Sequence, residues 1–133
     1  MFYEVKNTAL NVPLKLAFDY ISNPKKLPVW THAFTKINED GSALMSTPEG
    51  EVIIQLEVIS DVQTGTVDWR MVFSDGSCGT AHSRLVTLND NSCLYSFILT
   101  PPPVPLEMME EALKQQGKTL EQELILLKSI LEK

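Results

Sequence analysis

The chain has 133 residues and a mass of 14.9 kDa, enough for one domain with a real core and too little for two. Hydrophobic residues make up 44% and charged residues 21%, which excludes an intrinsically disordered chain. Lys and Arg number 11 against 17 Asp and Glu, for a net charge of -6. With Lys25-Lys26 as the longest basic run, this balance argues against nucleic-acid binding.

Phe2 to Ala9 alternates polar and apolar residues and predicts a half-buried strand. Asn11-Val12-Pro13 predicts a helix start, with Asn11 as the cap and Pro13 in the first turn. Leu14, Ala17, Phe18 and Ile21 then follow helical spacing until Ser22-Asn23-Pro24. Residues 24–30 predict one more short helical turn. Strand-like runs follow at 34–38, 43–46, 52–62, 66–73, 80–88 and 94–100. They are separated by Glu39-Asp40-Gly41, Thr47-Pro48-Glu49-Gly50, Thr64-Gly65, Ser74-Asp75-Gly76 and Asn89-Asp90-Asn91. Such short connections predict antiparallel hairpins. Pro101-Pro102-Pro103-Val104-Pro105 reads as a stiff bend.

The segment from about Pro105 to Glu132 is the clearest helix. Leu113, Gly117, Leu120, Leu124, Leu127 and Leu131 recur at spacings of four and three and define one apolar stripe. A helix of this length, roughly 40 Å at 1.5 Å per residue, needs a broad apolar surface to lie on, and the antiparallel sheet supplies it. No run is long and apolar enough to span a membrane, because prolines interrupt the longest uncharged stretch, Asn91 to Leu106. The N-terminus lacks the apolar core of a signal peptide, and the two cysteines, Cys78 and Cys93, form no disulfide framework. Both features predict a cytoplasmic protein.

The order of strand, two short helices, antiparallel strands and long terminal helix resembles the helix-grip fold of the START and birch-pollen-allergen superfamily, also called SRPBCC, which includes polyketide cyclases and dehydrases. The passage from Ala17 to Pro24 with Leu27-Pro28 and Trp30, the Val67-Asp68-Trp69 run with Asp75-Gly76, and the closing Leu120 to Leu131 helix carry the resemblance. It covers residues 1–133 as one domain. It implies an α+β fold in which a curved antiparallel sheet of about six to seven strands wraps the long C-terminal helix, with two short helices after strand 1. It further implies a cavity between sheet and helix, and fixes no catalytic signature.

Strand faces follow from the turns. Pairing Ser74 with Gly79 and Leu88 with Cys93 places Val67, Trp69, Met71, Phe73, His82, Arg84, Val86, Leu88, Tyr95, Phe97 and Leu99 on one apolar face. Asp68, Arg70, Ser83, Thr87 and Ser96 fall on the other. On this register His82 and Arg84 face the helix. A buried guanidinium needs a partner, so Arg84 either anchors an acidic or carbonyl group of a ligand, or reaches the sheet edge or Asp68. His82 is either a general acid or base or a satisfied half-buried histidine. Trp30, Trp69, Met71, Tyr95 and Phe97 are core residues or ligand contacts, and the buried Tyr95 hydroxyl needs a partner. His32 sits beside the short second helix, as a mouth residue or an ordinary loop residue. Gly117 either leaves room for a ligand or lets the helix approach the sheet.

The candidate binding set is therefore Trp30, Trp69, Met71, His82, Arg84, Tyr95, Phe97 and Gly117. No metal-ligand spacing, Gly-rich phosphate loop or serine nucleophile elbow is present, so neither metal nor cofactor is expected. The leading expectation is binding of a small hydrophobic or aromatic ligand. The alternative is a polyketide cyclase- or dehydrase-like enzyme in which Arg84 polarises a carbonyl and His82 or Tyr95 moves a proton. The acidic helix surface leaves a homodimer open.

Overall fold

The computed structural model describes residues 3–47, 50–100 and 105–133. Phe2, the centre of the Pro48-Glu49 turn and the bend at 101–104 lie outside the described residues. Strand β1 (Glu4–Leu10) is followed by α1 (Leu14–Ile21), a 3-10 turn (Pro24–Lys26) and α2 (Leu27–Trp30). Strands β2 (Phe34–Ile37), β3 (Ser42–Thr47), β4 (Gly50–Asp61), β5 (Thr66–Val72), β6 (Cys78–Asn89) and β7 (Ser92–Leu99) come next, and α3 (Leu106–Leu131) closes the chain. Every neighbouring pair is antiparallel, in the order β1-β7-β6-β5-β4-β3-β2. This is the expected α+β helix-grip arrangement, with seven strands and the two short helices after the first.

The leucine stripe explains where α3 lies. Leu120, Leu124, Leu127 and Leu131 join Leu10, Ile21, Leu27, Trp30, Ile54, Val67, Trp69, Leu85 and Tyr95 in one contiguous core. The C-terminal end of α3 is also clamped to β1. Lys128 Nζ donates to the Ala9 carbonyl at 2.7 Å and pairs with Glu132, while the Asn11 backbone N–H donates to Glu132 Oε2 at 3.0 Å. Asn11 is thus not the cap of α1. Pro13 occupies that position, with no side-chain hydrogen bond, because the Asn11 amide is drawn to the end of α3.

The face assignment on β6 is overturned. The β5–β6 loop has three residues, Ser74 to Gly76: Phe73 and Ser77 share a backbone hydrogen bond of 2.9 Å, and Gly76 supplies the positive φ of 86° that closes such a loop. Trp69 therefore opposes Ala81, and Met71 opposes Gly79. On the other side, Asn89 opposes Ser92 at the turn, but a bulge between Thr87 and Asn89 absorbs Leu88, so Thr87, not Leu88, opposes Cys93. Each change flips the alternation of β6. Ala81, Ser83 and Leu85 face α3; His82, Arg84, Val86 and Leu88 face away. The faces of β5 and β7 remain as expected, with Val67, Trp69 and Tyr95 buried.

Candidate functional site

Beyond the leucine-packed half of α3, the sheet and the helix separate around a pocket of about 680 Å³. Its floor comes from Trp69 and Met71 on β5, Ala81 on β6 and Phe97 and Leu99 on β7. Its other walls are Leu27, Trp30 and His32 around α2, Met45 on β3, and Gln115, Gln116, Thr119, Leu120 and Glu123 on α3. The aromatic rings form a connected wall. Trp69 stacks on Phe97 with centroids 6.1 Å apart, and Trp30 meets Trp69 at 6.4 Å and a tilt of 59°. Trp30 is placed by α2, a short turn that follows Pro24 and carries Pro28 at its start, and only 2% of it is exposed.

Of the eight candidate residues, Trp30, Trp69, Met71 and Phe97 border the pocket together. Tyr95 lies behind them, fully buried, with its ring edge-on to Trp30 at 6.4 Å. Burial pushes its phenol pKa far upward, an effect Ser83 offsets only partly. The indole N–H groups of Trp30 and Trp69 have no hydrogen-bond partner among the described residues. An unpaired buried donor costs about 1–3 kcal/mol, so the polar groups of this wall are less well satisfied than a finished core would have them.

His82 and Arg84 are not in the pocket. His82 Nδ1 lies 3.2 Å from Asp68 Oδ2 on the outer face, with half its side chain exposed. Arg84 Nε donates to the Thr64 carbonyl at 3.0 Å. Arg84 therefore follows neither expected course: its partner is a turn carbonyl, while Arg70 is the arginine near a carboxylate, Glu57, at 3.7 Å. Gly117 also lies away from the pocket, over β1. A Cβ there would come within 2.1 Å of Glu4 Oε2 and 3.3 Å of the Lys6 Cε, so the glycine leaves room for these two side chains of β1 rather than for the pocket.

The sequence reading missed Glu123. It borders the pocket from α3, and its Oε2 accepts the His32 backbone N–H at 2.6 Å. Burial raises its carboxyl pKa above the ordinary range, and the neighbouring His32 pulls weakly the other way. The available signal was its spacing: Gln116, Leu120 and Glu123 follow one another at four and three residues and run along the flank of the leucine stripe. Glu123 and His32 are the only ionisable side chains bordering the pocket among the described residues, which contribute no lysine or arginine to its wall. Among the described residues, no three His, Cys, Asp or Glu side chains gather in a way that could hold a metal ion, and no helix is long and apolar enough to cross a membrane.

No protein-family model matches the chain, and no curated protein matches it in sequence. Similarity appears at the level of structure. The protein XoxI from Bacillus cereus superposes with a TM-score of 0.70 at 14% identity, over 98% of this chain and 96% of that one. A START superfamily protein from Mycobacterium smegmatis gives 0.66 at 15% identity, over 98% and 97%. The Zhui aromatase/cyclase from Streptomyces sp. R1128 gives 0.64 at 9% identity, over 98% and 90%. At such low identities the shared property is architecture. With seven antiparallel strands closed over a long C-terminal helix, the chain has the START-like helix-grip fold.

Proposed function

We propose that the protein binds a small hydrophobic or aromatic ligand in the pocket between β5–β7 and α3. The observation that carries this reading is the pocket itself: about 680 Å³ of space, mainly apolar in its lining surface, against a wall of Trp30, Trp69, Phe97 and Met71. Ligand sites are commonly concave, mainly apolar and supplied with a few polar groups that set orientation. The fold shared with a START superfamily protein and an aromatase/cyclase agrees with this class of role.

Titration with a neutral fluorophore such as Nile red tests it. Saturable uptake is expected, together with quenching of Trp30 and Trp69. Met71→Trp, which fills the floor, should suppress uptake, whereas Ile59→Trp on an exposed part of the sheet should not. Uptake that is unsaturable, or indifferent to Met71→Trp, would exclude the pocket as the site.

A cyclase- or dehydrase-like reaction on a carbonyl substrate is the second reading, and one observation favours it. Glu123 holds its proton more tightly than an ordinary glutamate and borders the pocket, as a general acid must. The proton-transfer role passes to Glu123 because His82 faces away and the Tyr95 hydroxyl is enclosed, and Arg84, also facing away, is not placed to polarise a carbonyl. Incubation with a poly-β-keto thioester decides the matter. Faster cyclisation that Glu123→Gln abolishes supports turnover, and a product profile matching the uncatalysed one excludes it.

A further inference from the structure

Given the binding role proposed above, we infer that the pocket selects an apolar ligand carrying a protonated amine and rejects the corresponding carboxylate. The inference comes from the charges at the wall. Glu123 presents the only carboxylate among the described lining residues, and one of its oxygens is already engaged by the His32 backbone N–H at 2.6 Å. No lysine or arginine borders the pocket among the described residues, and residues 1–2, 48–49 and 101–104 add none in sequence. The two arginines are committed elsewhere, Arg84 to the Thr64 carbonyl and Arg70 near Glu57. Lys6 and Lys128 are tied to Glu121 and Glu132 along β1.

Three ligand charges can be compared against this wall. A carboxylate would bring a second negative charge beside Glu123 with no lysine or arginine to offset either and only the His32 imidazole nearby, and the chain as a whole, at -6, would repel it on approach. An uncharged ligand would displace water from a half-buried carboxylate and at best return one neutral donor, without the opposite charge. An ammonium supplies both the opposite charge and the hydrogen-bond donors that the remaining carboxylate oxygen lacks. The rest of the wall suits the same group: Trp30, Trp69 and Phe97 form a connected aromatic surface, and ring faces attract cations, most strongly those of tryptophan. Gln115, Gln116 and Thr119 lie on the same side of α3 as Glu123 and offer neutral hydrogen-bond acceptors beside it.

Three probes with one ring system separate the possibilities: 1-naphthylmethylamine, 1-naphthalenemethanol and 1-naphthoate, titrated calorimetrically into the full chain at pH 7.5. The amine is expected to bind at least ten-fold more tightly than the acid, with the alcohol between them. Glu123→Gln keeps an oxygen for the His32 N–H. It should bring the amine-to-acid ratio close to one while the alcohol still binds, and a circular-dichroism spectrum matching the parent shows that the variant is folded. Glu121→Gln removes the same formal charge from the exposed partner of Lys6 and should leave the ratio as in the parent. An acid that binds as well as the amine overturns the inference. So does a ratio indifferent to Glu123→Gln, or one that falls equally with Glu121→Gln. Binding of the alcohol without amine preference defeats the charge selection alone. Failure of all three probes defeats the binding role as well.

Discussion

The two ends of α3 do different work, and two of its glutamates show the difference. Glu132 accepts hydrogen bonds from Lys128 and Asn11, which hold its carboxyl pKa below the ordinary range. Glu123, nine residues earlier, is partly desolvated with only His32 beside it as an offset, and its carboxyl pKa is raised. The surrounding packing follows the same division. Leu124 and Leu127 are buried in the contiguous core, whereas Leu106 and Met108 at the other end are largely exposed. One end is anchored by fully partnered groups; the middle of the helix borders space and leaves a polar group short of partners. A scaffold and a site thus share one element, and the partner count of each carboxylate tells them apart.

The strongest test of this division is Leu127→Ala, which should cost about 2–5 kcal/mol of unfolding free energy by denaturant titration. Leu113→Ala should cost less, about 2 kcal/mol, because Leu113 is buried but lies outside the contiguous core. Equal losses at the two positions would erase the contrast between the ends.

The carboxylates sharpen it through pH. The folded pKa of Glu123 lies above its unfolded value, so its effect is absent at low pH. The fold then loses stability as pH rises through the window from the ordinary glutamate range up to the folded value. Glu132 has the opposite sign: its contribution is present above the ordinary glutamate range and is lost as pH falls through the depressed folded value. Urea midpoints measured against pH should therefore flatten on the higher-pH side in Glu123→Gln and on the acid side in Glu132→Gln. Curves that flatten on the same side in both variants would show that the two groups are not distinct. The smallest effect is expected from Met108→Ala, within ~0.5 kcal/mol, since its side chain is mostly exposed.

The sequence made the architecture legible wherever a period was uninterrupted. Val67, Trp69 and Met71 alternate on β5, Tyr95 and Phe97 alternate on β7, and the leucines of α3 keep their three-four spacing; each faces as its pattern predicts. Strand β6 was misread because its alternation is ambiguous. His82, Arg84, Val86 and Leu88 make as plausible an inner row as Ala81, Ser83 and Leu85. Only the length of the Ser74–Gly76 loop and the bulge between Thr87 and Asn89 decide between them. A one-residue difference there moved both the arginine and the histidine from the pocket to the outer face, and with them the expected chemistry. The pocket's aromatic residues were legible because they lie on well-read strands and on the proline-bounded turn of α2. Glu123 was not, because a glutamate on the flank of an amphipathic helix looks like a solvated surface residue until the sheet beneath it is known to fall away.

The strand order also constrains how the molecule assembles. β1 is an edge strand whose sole neighbour is β7, and Asn11, just beyond its end, meets Glu132 at the close of α3. The earliest strand thus depends on the latest segments for every lateral contact. Long-separation pairings of this kind slow folding, because the intervening chain must be closed into a large loop before they give any return. Until then the backbone of β1 has no ladder partner. Conditions that delay the pairing of β1 with β7 should therefore leave this strand open to pairing with another molecule.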